Sequence, residues 1–112
     1  MENDKGFVYL LCDGLNDGLY KIGVTRGTIE RRIKKLQTGN PGEIYLCRYY
    51  HTKIPFFIEK HLHLKFFSKK ELNEWFNLSA DDVFSFEDTC RQIEDMYNSL
   101  EDNIFFKKLK RK

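Results

Sequence analysis

The chain has 112 residues, 41% of them hydrophobic and 15% aromatic, with charges spread along its whole length. That profile fits one globular domain with a single modest core and excludes a disordered or fibrous chain. The formal net charge of +2 says little about partners, so the distribution of charge matters more than its sum.

Its longest apolar runs, such as Phe7-Val8-Tyr9-Leu10-Leu11-Cys12, are far too short to span a bilayer, so no membrane partner is expected. The polar start Met1-Glu2-Asn3-Asp4-Lys5 does not read as a signal or transit peptide, and a cytoplasmic protein is the default expectation. Cys12, Cys47 and Cys90 are scattered with no C-x-x-C pair, which argues against a disulfide scaffold and a structural zinc site. Each lies in an apolar periodic segment, so buried thiols are expected.

In chain order, residues 7–12 and 19–25 are short β-branched and aromatic runs separated by Asp13-Gly14-Leu15-Asn16-Asp17-Gly18. This pattern predicts an antiparallel hairpin with a turn-rich connector. Thr28 then caps a helix of about three turns carrying Ile29, Ile33 and Leu36 on one face, closed by Thr38-Gly39-Asn40-Pro41-Gly42. Residues 43–51 predict a third strand, and Pro55 opens a second helix to about Phe67 with the stripe Ile58, Leu62 and Phe66. A short extended piece, Glu74-Trp75-Phe76-Asn77-Leu78, follows. Ser85 and Asp88 then have the spacing of a capping box opening a last helix through about Leu100. The expected architecture is α/β in the α+β sense: a small, largely antiparallel three-stranded sheet flanked by helices. One domain is expected over residues 1–103, with a basic tail over 104–112.

Several side chains break the structural pattern. Strand alternation puts Lys21, Gly23 and Thr25 on one face and Tyr20, Ile22 and Val24 on the other. The first face is small and polar, and Gly23 would let a bulky partner approach the backbone. An edge-strand lysine that discourages aggregation would account for Lys21 alone. In the first helix, Arg32 lies about 60° from Ile29, on the flank of the apolar face, while Arg31 points nearly the opposite way. A planar, permanently charged fork held there suits a phosphate diester.

Residues 21–35 hold Lys21, Arg26, Arg31, Arg32, Lys34 and Lys35 against Glu30 alone, and the tail Lys107-Lys108-Leu109-Lys110-Arg111-Lys112 is basic again. Two such clusters suit a polyanion, although either alone is equally what a solvated helix face looks like. In the second helix Glu59 and His63 are i, i+4 neighbours at the edge of the apolar stripe, where a carboxylate can hold a hard divalent cation. Taken singly, Tyr9 reads as a packed strand tyrosine and Glu59 as a solvated helix carboxylate. His61 and His63 diverge by about 200° around a helix, so a shared zinc ion is not expected.

Phe7-Val8-Tyr9, then eleven residues, then Lys21-Ile22-Gly23 resembles the paired motifs that name the GIY-YIG nuclease superfamily. Ile29-Glu30-Arg31-Arg32-Ile33 resembles that family's arginine helix, and Ile58-Glu59-Lys60-His61-Leu62-His63 with Phe66 resembles its metal-carboxylate helix. Glu74-Trp75-Phe76-Asn77-Leu78 looks like the closing segment of the small standalone branch borne by phages and viruses. The resemblance runs from about Gly6 to Val83.

By position it implies that Tyr9 activates the attacking water, its pKa lowered by nearby cations, and that Arg32 neutralises the transition state. It also makes Glu59 the single ligand of Mg²⁺ or Mn²⁺. The second tyrosine of the family falls on Lys21, which could hold a phosphate oxygen or assist deprotonation; with a slip in the strand, Tyr20 takes that place. Gly23, Thr25, Arg31, Lys35 and His63 are expected to line the substrate site.

The implied function is metal-dependent hydrolysis of phosphodiester bonds in DNA, with RNA also open, by a monomer or weak dimer. The implied location is the cytoplasm, or the interior of a host cell for a viral protein. The alternatives are a non-catalytic nucleic-acid-binding module on the same fold and a protein-interaction domain docking through its acidic last helix.

Overall fold

The computed structural model describes residues 5–72 and 74–102. The predicted basic tail lies outside them. The strands β1 (Gly6–Asp13) and β2 (Asn16–Thr25) are followed by α1 (Ile29–Gln37), a third long strand β3 (Ile44–Thr52) and α2 (Pro55–Lys65). A 3-10 turn then leads to the short strands β4 (Lys70–Leu72) and β5 (Trp75–Asn77), and α3 (Ala80–Phe84) and α4 (Phe86–Asp102) complete the chain.

All described pairings are antiparallel and the strand order is β3-β1-β2-β5-β4. The sheet is therefore five-stranded, not three-stranded. Sequence pattern saw β5 only as an extended piece and missed β4, because three residues are too few to display a period-2 alternation. The hairpin turn is also tighter than the connector suggested: Asp13 pairs with Asn16 around Gly14 and Leu15 alone. Gly18, inside β2, takes φ 85°, a conformation that side-chain-bearing residues avoid.

β1 is the central strand of the long three, and Val8, Tyr9, Leu10 and Leu11 are wholly buried. Alternation sends them to two different cores. Val8 and Leu10 join Ile22, Ile58, Leu62, Phe66, Phe76, Leu78, Phe86 and Cys90 under α2 and α4. Tyr9 and Leu11 join Ile44, with Ile33 and Leu36 of α1, on the opposite face. The larger core is the main source of stability, since each fully buried aliphatic or aromatic side chain contributes about 1.5–3 kcal/mol on leaving water.

α1 starts where expected. Thr28 accepts a hydrogen bond from the Arg31 amide at 3.2 Å, with Glu30 in the first turn and Lys34 and Lys35 in the last, each at the end of the helix dipole that favours its charge. Its far end is tied by a polar knot. Gln37 Nε2 donates to the Gly42 carbonyl at 2.8 Å, and Gln37 Oε1 accepts from the Ile44 amide at 2.8 Å. Asn40 Nδ2 donates to Gly42 O and to Asp13 Oδ2, while Asp13 Oδ1 accepts from the Leu15 amide at 2.8 Å. These donors hold the buried Asp13 carboxyl below the usual carboxylate range. Gly42 lies so close to Asp13 that an added Cβ would collide with the carboxylate.

Two sequence expectations change. The capping box is formed by Ser79 and Asp82 at the start of α3, with Ser79 Oγ accepting from the Asp82 amide and Asp82 accepting from the Ser79 amide. Ser85 instead ends α3, its hydroxyl donating to the Asp81 carbonyl at 2.7 Å. Both serines have an acidic residue three places on, so the motif alone could not choose between them. Of the thiols, only Cys90 is buried; Cys12 and Cys47 are partly exposed neighbours on β1 and β3, where burial and Cys12 together push Cys47 up to about 12.

Candidate functional site

The site grows from a mismatch of strand lengths. β5 pairs with β2 only at Leu19, Tyr20 and Lys21, so among the described residues Gly23, Val24 and Thr25 have no strand beyond them. The last backbone contact on that side runs from the Ile22 amide to the Glu74 carbonyl at 3.3 Å. Beyond it, side chains from both layers meet at the open edge of β2.

From the sheet comes Tyr9. Its ring crosses to the neighbouring strand and lies over Gly23, the residue paired with it. A Cβ on Gly23 would sit 2.5 Å from the Tyr9 hydroxyl and 2.6 Å from the ring carbon bearing it. The close approach that Gly23 permits is thus made by Tyr9 and not by an incoming ligand. Gly23 is buried, which removes it from the expected substrate contacts and makes it the seat of the tyrosine.

From α1 comes Arg32, whose Nε donates to the Tyr9 hydroxyl at 3.2 Å. The flank position inferred from helical spacing is the one it occupies. Burial raises the pKa of Tyr9; the Arg32 hydrogen bond and charge pull it down, but burial outweighs them and the net direction is upward. This corrects the expectation of a cation-lowered tyrosine: the phenol is protonated in the resting protein. The same hydrogen bond raises the pKa of Arg32 and keeps its charge secure.

From α2 come Glu59 and His63. His63 Nε2 lies 3.0 Å from the Ile22 carbonyl, an acceptor, so that nitrogen carries a proton. The bond fixes α2 against the β2 edge. His63 Nε2 is also 3.9 Å from the Glu59 carboxylate, and only 21% of the Glu59 side chain is exposed. His63 therefore braces the glutamate and the strand. Burial raises the pKa of Glu59, with His63 and Arg32 opposing and Glu74 adding to the rise. The charges of Glu59 and Arg32 act on each other and on Tyr9, so the two helices, from opposite layers, address one region.

Lys21 points the same way but is engaged. Its Nζ lies 3.2 Å from a Glu74 carboxylate oxygen and 5.5 Å from the Trp75 ring centre, with only 13% of the side chain exposed. Tyr20, the alternative for this position, faces the opposite core beside Val24, as alternation predicts. Glu74 was overlooked as a site residue. It contacts Lys21 and raises the pKa values of Tyr9 and Glu59, but its place depends on the pairing of β5 with β2, which local sequence does not display.

Beside this cluster an open cleft of about 610 Å³ is lined by Thr25, Gly27, Thr28, Arg31, Arg32, Lys34 and Lys35. Among the described residues, no acidic one lines it. Thr25, Arg31 and Lys35 were expected at the substrate, and Arg32 joins the cleft to Tyr9. Among the described residues no three His, Cys, Asp or Glu side chains gather into a metal cage. The Glu59 carboxylate is an oxygen donor of the kind a hard divalent ion takes.

No helix among the described residues is long and apolar enough to cross a membrane. No curated protein and no solved structure matches the chain. The T5orf172 domain profile matches residues 6–95, a stretch that takes in both motif strands, α1, α2 and the closing β5. The chain, in which a tyrosine seated on a glycine is held by a helix arginine beside a basic cleft, therefore belongs to the T5orf172 domain family, a GIY-YIG-like, nuclease-associated family of phage origin.

Proposed function

We propose that this chain is a small metal-dependent endonuclease of the GIY-YIG type, from the phage- or virus-borne branch, that hydrolyses phosphodiester bonds of DNA. The observation that carries the reading is the 3.2 Å bond from Arg32 Nε to the Tyr9 hydroxyl at the end of the basic cleft, with the Glu59 carboxylate within electrostatic range of both.

In this reading Arg31, Lys35 and Thr25 hold the flanking phosphates and Arg32 meets the scissile one. Arg32 spends only Nε on Tyr9, so its remaining donors face the charge that builds up on the phosphate oxygens. Tyr9 takes the proton of the attacking water. Because burial raises its pKa above the ordinary 10.0, the reactive phenolate is scarce at neutral pH and the rate climbs with pH. Lys21 exchanges Glu74 for a phosphate oxygen. Mg²⁺ or Mn²⁺ on Glu59 would supply Lewis-acid stabilisation of the leaving oxygen.

A second reading, a nucleic-acid-binding module without turnover, is favoured by the protonated Tyr9 and the engaged Lys21. Incubation with plasmid, branched DNA and RNA in Mn²⁺ or EDTA separates the two. Hydrolysis predicts metal-dependent cleavage whose rate rises about tenfold per pH unit from neutrality into the alkaline range, and loss of cleavage in Glu59→Ala. Salt-sensitive binding that ignores metal, with no product at any pH, would leave the binding module standing instead.

A further inference from the structure

The β3 side of α1 carries a second surface that the hydrolytic site does not use. Register places Tyr49 opposite Tyr9 and His51 opposite Phe7, so all four side chains share the face that α1 partly covers. The helix begins at Ile29, beside Phe7. Phe7 stacks on His51 with ring centres 4.8 Å apart and 28° between planes, and meets Tyr49 edge-on at 5.9 Å. Tyr49 is 49% exposed although it belongs to this cluster. A groove of about 280 Å³ runs beside it, lined by Phe7, Thr28, Ile29, Glu30, Leu46 and Tyr49.

Thr28 lines this groove and also the basic cleft, so the two meet at the N-terminus of α1. Their chemistry differs sharply. Among the described residues the cleft is lined by four cationic side chains and no acid, and the groove has aromatic and aliphatic walls with one acid, Glu30. Glu30 repels phosphate but can accept a hydrogen bond from the exocyclic amine of a base. We infer that the groove receives an unpaired nucleobase, stacked against Tyr49, from a single-stranded stretch whose phosphates lie in the basic cleft.

This inference rests on the cleft being a nucleic-acid site and assigns its substrate class as single-stranded, flapped or frayed DNA. A base inside a duplex has both faces covered by its neighbours, so only an unpaired one offers a face to Tyr49. Stacking of this kind tolerates any base, which gives preference for structure and not for sequence.

The test uses full-length protein in EDTA, where cleavage is silent, with a single strand containing 2-aminopurine and a blunt duplex of equal length. Wild type binds the single strand more tightly and quenches its fluorescence. Tyr49→Ala weakens single-strand binding about five- to a hundredfold and abolishes the quenching, while duplex binding stays within about twofold. Tyr49→Phe keeps both properties, and unchanged circular dichroism shows that the fold survives.

Equal effects of Tyr49→Ala on both substrates, or none on either, overturn the inference. So does dissociation of a dimer by Tyr49→Ala, which would make the groove a contact between copies of the chain. Lys35→Ala separates the two readings. If it weakens both substrates while Tyr49→Ala is neutral, the cleft stands and the base site falls; if wild type binds neither substrate, both fall.

Discussion

The two faces of the sheet are built to different rules from the same three strands. Under α2 and α4 the face is filled by aliphatic and aromatic residues, with Val8, Leu10, Ile22, Ile58, Leu62 and Phe76 wholly buried. Under α1 the buried hydrophobic cluster shrinks to Tyr9, Leu11 and Ile44, with Ile33 and Leu36 packed on it, and β2 offers this face Lys21, Gly23 and Thr25. The first face secures the fold; the second keeps a buried phenol and an engaged lysine, and the mostly buried Glu59 carboxylate reaches the same strand edge from α2. Burying polar groups at imperfectly compensated positions is where a site departs from what folding alone would select.

Substitutions that separate the faces follow from this. The largest expected effect is on the first face: Leu62→Ala should cost about 2–5 kcal/mol of stability, read by denaturant unfolding. Any loss of cleavage there should track the unfolded fraction. On the second face Arg32→Ala should lower the cleavage rate of the folded protein by about a hundred- to a thousandfold, in addition to about 1–3 kcal/mol of stability lost when the buried Tyr9 hydroxyl loses its donor. Near-wild-type turnover in that variant would sink its assignment.

Gly23→Ala bridges the comparison, because its methyl must displace the Tyr9 ring. It should cost about 1–3 kcal/mol in unfolding and also lower the cleavage rate of the protein that remains folded. A stable, fully active Gly23→Ala would show that the seat of the tyrosine is unimportant.

Smallest is the effect of Glu59→Gln on stability. The folded-state pKa of Glu59 is raised above its ordinary 4.5, so the native state favours the protonated form. Its ionised form therefore costs stability at neutral pH, and that cost disappears as pH falls below 4.5, where the group is neutral in both states. Glu59→Gln should thus raise the melting temperature slightly at pH 7, with no gain in acid, while abolishing metal-dependent cleavage. A destabilised variant at pH 7 would mean that the carboxylate is held by favourable bonds after all.

What sequence made legible was local. The hairpin, the Thr28 cap, the flank position of Arg32 and the alternation of Tyr20 to Val24 depend on neighbours within a few residues, and the structure has each in place. What escaped depends on long-range pairing. β4 is too short to show a period, and Glu74 reaches Lys21 only because β5 docks beside β2. The direction of the Tyr9 shift turns on how deeply one ring is buried, which a count of nearby cations does not reveal. Cys12 and Cys47 are strangers in sequence and neighbours in space for the same reason.

The knot of Gln37, Asn40, Gly42 and Asp13 has a bearing on the guanidinium more than a helical turn away. α1 is pinned by Thr28 at one end and by that knot at the other, so Arg32 hangs from a bar clamped at both ends. A catalytic charge is useful only while aimed to within about 0.5 Å. In the proposed nuclease, slackening the distant clamp would swing the bar and spoil the aim while every group around the phosphate stayed intact, so accuracy at the site would be set by a loop at the far end of the helix.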